Sequence, residues 1–144
     1  FNVRPLRLRQ MARHAIRHHE GRVPDTYEGL IAMDGIGRYT AGAVLSFAFR
    51  QDAPILDTNV ARLLGRYFGV RGDPKRGPAQ RRLWRLAALS IPKRKGFVFN
   101  QAPMDYGATV CTARRPQCPG CVFRRECRSY EKVNGRPASR HRAH

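Results

Sequence analysis

The chain has 144 residues, 42% of them hydrophobic, and sets 28 Lys and Arg against 10 Asp and Glu for a formal net charge of +18. That length suits one domain or slightly more with a modest core, and the positive excess selects a polyanionic partner, nucleic acid first and an anionic membrane surface second. No apolar run approaches the roughly 20 residues of a membrane-spanning helix and nothing resembles a secretory signal, so an intracellular protein without membrane partners is expected, in cytoplasm or nucleoid if prokaryotic.

Taken in chain order, hydrophobic periodicity is helical almost throughout, so the expected fold class is all-α. Leu8, Met11, Ala12, Ala15, Ile16 and His19 recur at i, i+3, i+4 spacing and form one apolar stripe that Gly21 ends. The pattern begins almost at Phe1, which predicts a missing N-terminal portion. Asp25 opens a short helix, with Glu28 three residues on as in a capping box. Met33-Asp34-Gly35-Ile36-Gly37 reads as a tight two-glycine turn, and Thr40 to Phe49 as a helical stretch of small and apolar residues. After a loop containing Pro54, the stripe returns over Thr58 to Phe68 through Val60, Leu63, Leu64 and Tyr67. Arg71 to Gly77 is a basic, glycine-rich loop, and Pro78 to Leu89 a further helix with proline in its first turn and Trp84 in the core. Phe97 to Val110 is helical in character, with a kink or a helix start expected near Pro103, because proline inside a regular helix costs about 3 kcal/mol. Residues 1–95 are thus expected to form a helical portion, 96–132 a cysteine-bearing region, and 133–144 a basic, disordered tail.

All four cysteines fall within 17 residues, as Cys111-x6-Cys118-x2-Cys121-x5-Cys127. Four thiolates this close in sequence suit one metal centre better than two disulfides. A single compact, asymmetric loop fits a cubane iron–sulfur cluster, whereas zinc ribbons present two separate short knuckles; zinc stands as the alternative. Arg114, Arg115, Arg124, Arg125 and Arg128 lie in or just beyond the loop, where they either face phosphate or form an ordinary solvated surface.

The cysteine spacing resembles the signature of the endonuclease III and adenine glycosylase superfamily, the helix-hairpin-helix DNA glycosylases. Two upstream segments agree in order and distance. Met33-Asp34-Gly35-Ile36-Gly37-Arg38-Tyr39-Thr40 is similar to the family's hairpin, and Pro54-Ile55-Leu56-Asp57-Thr58-Asn59-Val60-Ala61-Arg62 to its catalytic segment. Phe99-Asn100-Gln101 with Met104-Asp105-Tyr106-Gly107 resembles the helix leading into the cluster, and the likeness spans roughly Leu6 to Lys132. It implies a helix-hairpin-helix glycosylase fold, a [4Fe-4S] cluster on Cys111, Cys118, Cys121 and Cys127, and double-stranded DNA with a mismatch or lesion as partner. The family's first helices have no counterpart ahead of Phe1.

Within that resemblance each segment has a physical role. Gly35, Ile36, Gly37, Arg38 and Thr40 are the expected DNA-binding set, since a tight turn that exposes N–H groups at a helix start favours phosphate. Asp34 replaces the family's usual proline and puts a negative charge beside that turn. Asp57 is the expected catalytic carboxylate: it can stabilise the positive charge that builds on the sugar as the glycosidic bond breaks, or assist water. Its ordinary role would be a helix N-cap, and both roles can hold together. Tyr39 stands where strand-cutting relatives carry a Schiff-base lysine, which implies a monofunctional enzyme that releases the base and leaves an abasic site. Short segments such as Arg66-Tyr67-Phe68-Gly69 lean toward thymine or uracil opposite guanine; Ala41-Gly42-Ala43 supports adenine opposite 8-oxoguanine as the alternative. A non-catalytic iron–sulfur DNA-binding module and a zinc-bound nucleic-acid adaptor are the readings from other classes.

Overall fold

A computed structural model describes residues 3–134 as α1 (Val3–His18), α2 (Tyr27–Ile31), α3 (Arg38–Ala43), a π turn (Val44–Ala48), α4 (Thr58–Phe68), α5 (Gly77–Ser90), α6 (Gly96–Thr109), a 3-10 turn (Cys118–Gly120) and α7 (Tyr130–Asn134). There is no strand among the described residues, and the all-α expectation holds. The tail expected over 133–144 lies outside the described residues from 135 onward.

Two hydrophobic clusters organise the helices. Ala15, Leu30, Met33, Ala41 and Leu45 join α1, α2, α3 and the π turn, while Val60, Ala61, Leu64, Leu83 and Ala87 join α4 to α5, with Met104 of α6 packed against them. The segment from Pro54 to Asp57 runs between the two, and Ile55 within it is fully buried. Buried Asn100 of α6 ties the halves together: its Nδ2 donates to Ser46 Oγ and to the Ala53 carbonyl, both at 2.8 Å. Ser46 belongs to the π turn, a form that periodicity alone does not announce.

Three local expectations need correction. The cap of α2 is Thr26, whose hydroxyl accepts from Gly29 N–H at 3.2 Å, so Asp25 and Glu28 do not form the box; Asp25 instead offers its carbonyl to Gln51 Nε2. The α1 stripe splits into two rows. Met11 and Ala15 face the first cluster, while Leu8 and Ile16 remain 66% and 68% exposed, because α2 and α3 cover only one side of the helix. Finally, of the kink or helix start expected near Pro103, the start is ruled out, because α6 runs through that residue. Its start is set at Gly96, where the Asp52 carboxylate accepts from Arg94 N–H at 2.6 Å and Gly96 N–H at 2.9 Å.

Gly42 shows how tightly the Pro54 to Asp57 segment is seated. It is buried in α3, and a Cβ there would overlap the Pro54 carbonyl oxygen. Gly42→Ala is therefore expected to lower stability by about 2 kcal/mol, the usual scale of a backbone forced aside by overpacking. A reduced urea midpoint would register it; an unchanged midpoint would mean that the Pro54 segment seats elsewhere.

Candidate functional site

Asp57 closes the extended segment and caps α4. Its Oδ1 accepts from Val60 N–H at 2.7 Å and its Oδ2 from Asn59 Nδ2 at 3.3 Å, so both oxygens are held in one orientation. The carboxylate is half-buried and borders an open cleft of about 890 Å³. Gly37, Arg38 and Tyr39 line the hairpin side of this cleft, Lys75 the basic loop, and Trp84 the α5 side. Tyr39 is 39% exposed, which leaves its ring free to meet a ligand. Trp84 is buried as expected, yet the Arg38 guanidinium lies 4.2 Å from its ring centroid, a cation–π contact that holds Arg38 across the cleft.

The two hairpin glycines do different work. Gly35 has φ of +85°, a conformation that L side chains rarely adopt, so the turn itself requires glycine. Gly37 is extended and caps α3, and nothing would lie within 4 Å of a Cβ placed on it. Its bare backbone leaves the first N–H groups of α3 open to close approach, as a phosphate would need. Of the remaining expected DNA-binding residues, Ile36 packs on the first hydrophobic cluster, Gly35 lies against the Arg7 side chain, and Thr40 is exposed away from the cleft lining.

Two arginines that sequence reading passes over connect the cleft to the cysteine loop. Arg62 Nε donates to the Cys111 carbonyl at 2.8 Å, and its Nη2 to Asn59 Oδ1 at 2.8 Å and to the Gly107 carbonyl. Since Asn59 in turn donates to Asp57, a continuous chain of polar contacts runs from the carboxylate to the first cysteine. One helical turn on, Arg66 donates to the Thr112 carbonyl at 2.7 Å and the Ala113 carbonyl at 3.0 Å, and lies 3.5 Å from Cys111 Sγ. Gly107 permits this fit, because a Cβ there would collide with Asn59.

The four cysteines are free, half-buried and gathered around one small cavity beneath Arg66 and Phe123. The Cys118 thiol is pushed above its ordinary pKa, first by burial and then by the neighbouring Cys111 and Cys121 sulfurs, with Arg66 acting in the opposite sense. Four soft donors that converge closely enough to sense one another suit a thiolate-bound group. Among the described residues, no three metal-ligating side chains close to the spacing that a single ion needs. The Tyr106 hydroxyl reaches into the loop, 3.2 Å from Cys121 Sγ.

Comparison with known proteins agrees with this layout. The helix-hairpin-helix motif matches residues 18–47, which span α2, the two-glycine turn and α3. Adenine DNA glycosylase of Mus musculus is 40% identical over 92% of this chain, which spans 26% of that protein. A thermostable thymine-DNA glycosylase superimposes with a TM-score of 0.81 at 36% identity, over 91% of this chain and 60% of the other. Endonuclease III, in a trapped covalent DNA intermediate, gives 0.77 at 27% identity over 91% and 59%. The chain belongs to the helix-hairpin-helix glycosylase superfamily. Within it, the chain is similar to adenine and thymine glycosylases, of which it covers about a quarter and about 60% respectively.

Proposed function

We propose that this chain carries the reaction centre of a monofunctional DNA glycosylase, which hydrolyses the N-glycosidic bond of a mismatched base during base excision repair and leaves an abasic site. The observation that carries this reading is the doubly held Asp57 carboxylate at the wall of an open cleft shared with the hairpin residues Gly37, Arg38 and Tyr39. A nucleotide turned out of the duplex would bring its sugar to Asp57, which stabilises the developing oxocarbenium charge or orients water. The hairpin backbone and Arg38 would hold the adjoining phosphates. The protein would act intracellularly.

Cys111, Cys118, Cys121 and Cys127 are the residues that would hold a [4Fe-4S] cluster, and their shared cavity and mutual electrostatic influence fit it. When bound, the cluster would cross-link the loop and fix the arginines around it against the duplex. Zinc, the alternative occupant, would need the four thiols to close further than they stand here.

Of the two target classes, adenine opposite 8-oxoguanine is favoured by 40% identity to an adenine glycosylase, against 35% to a thymine/uracil glycosylase over the same share of the chain. Thymine or uracil opposite guanine remains the reading of the short segments. Duplexes bearing each mismatch, incubated with the complete gene product and then treated with hot alkali, separate the two. Cleavage at adenine after alkali alone is the expected outcome. Cleavage before alkali would overturn the monofunctional reading, and Tyr39→Lys is expected to introduce a borohydride-trappable adduct that the parent lacks. Release of neither base would remove the enzymatic reading in favour of a DNA-binding module.

A further inference from the structure

Tyr106 lies on α6, five residues ahead of Cys111, and has no part in the chemistry assigned to Asp57. Its carbonyl accepts from both Val110 N–H and Cys111 N–H at 2.9 Å, which fixes where the first cysteine leaves the helix. Its hydroxyl is placed between two partners, Cys121 Sγ at 3.2 Å and Val122 N at 3.1 Å. An amide N–H can only donate, so Val122 takes the acceptor side of the phenol oxygen. The single phenol proton is left for the Cys121 sulfur. Phe123 packs edge-on against the ring at 5.2 Å between centroids, which restricts it to this rotamer.

Resting on the iron–sulfur reading above, we propose that Tyr106 is a positioning residue for the cluster, its phenol donating a hydrogen bond to the Cys121 sulfur that orders this ligand and draws negative charge from it. A donor aimed at a ligand sulfur stabilises the more negatively charged state, so it raises the reduction potential of the bound cluster. It also makes the sulfur a poorer target for oxidants. In a measurement of that potential the electrode would supply the one electron, and the phenol would keep its proton.

The test uses the complete gene product in its cluster-loaded form. Tyr106→Phe keeps the ring and its packing on Phe123 and removes only the donor. Its midpoint potential at an electrode is expected to shift negative, and its visible absorbance to bleach several-fold faster in air than that of the parent. Fluorotyrosine placed at 106 is a stronger donor of almost the same shape, and is expected to shift the potential the other way. An unchanged potential in Tyr106→Phe with full iron and sulfide content would overturn the proposal and leave the cluster reading intact. If Tyr106→Phe cannot be loaded, the fluorotyrosine protein decides, and no positive shift there overturns the proposal. A parent protein that retains no iron and sulfide overturns the cluster reading and this inference with it.

Discussion

Asp57→Asn is expected to slow the proposed base release by orders of magnitude while leaving the fold in place. Asparagine caps a helix about as well as aspartate, so the bond to Val60 N–H and the start of α4 survive. What disappears is the negative charge beside the cleft, together with the acceptor for Asn59 Nδ2, because an amide has only one oxygen. Electrostatic groups aimed at a developing charge typically contribute about 100-fold to 1,000-fold in rate, and a loss on this scale is expected in single-turnover base release. Binding to a duplex should persist, since the phosphate contacts proposed for the hairpin backbone and Arg38 are left untouched. Release at the parent rate would reduce Asp57 to a cap and nothing more. A variant that also loses helical circular dichroism would point to a structural cause, and Asp57→Ala, which lacks the cap, provides the contrast.

Arg62→Gln is expected to damage both the fold and the site. The guanidinium supplies the bonds to Cys111, Gly107 and Asn59, and glutamine is too short to reach the first two together with the third. With hydrogen bonds to a charged donor contributing about 1.5–3 kcal/mol each and solvent replacing part of the loss, a destabilisation of about 3 kcal/mol is expected. Asn59 would lose the partner that fixes it against Asp57, so base release should fall more than unfolding accounts for. Chemical denaturation alongside single-turnover rates, measured well below the transition, checks both halves. A rate equal to the parent's, in a protein equally destabilised, would show that the polar chain to Cys111 braces the loop without influencing the carboxylate.

Much of the architecture can be read from the sequence because apolar residues at helical spacing must find a shared face. α4 and α5 are cases of this kind, since Val60, Leu64, Leu83 and Ala87 are buried in the cluster that their periodicity requires. α1 shows the limit: its stripe is real, but how many rows are covered depends on what packs there, and Leu8 carries no sign of its own exposure. Adjacent residues able to serve as the same cap are equally hard to rank, as with Asp25 and Thr26. Asp57 and Tyr39 were legible as candidates only through the segments around them, and both line one cleft. Arg62 and Arg66 were not, because an arginine on a helix reads as a solvated charge. Their partners lie 45 to 49 residues away, so only folding reveals that these side chains turn inward. Tyr106 was hidden for the same reason, with its partner cysteine 15 residues further along the chain. A glycine's purpose is likewise ambiguous in sequence: Gly35 is there for its backbone, Gly37 for the space it leaves, and Gly42 and Gly107 for what presses against them.

The strand of chain from Pro54 to Asp57 is shared by two separately packed clusters, with Ile55 buried between them and Asn100 pinning the preceding carbonyl. A substitution that repacks either cluster is therefore expected to be felt at the Asp57 carboxylate, because both press on the same four residues.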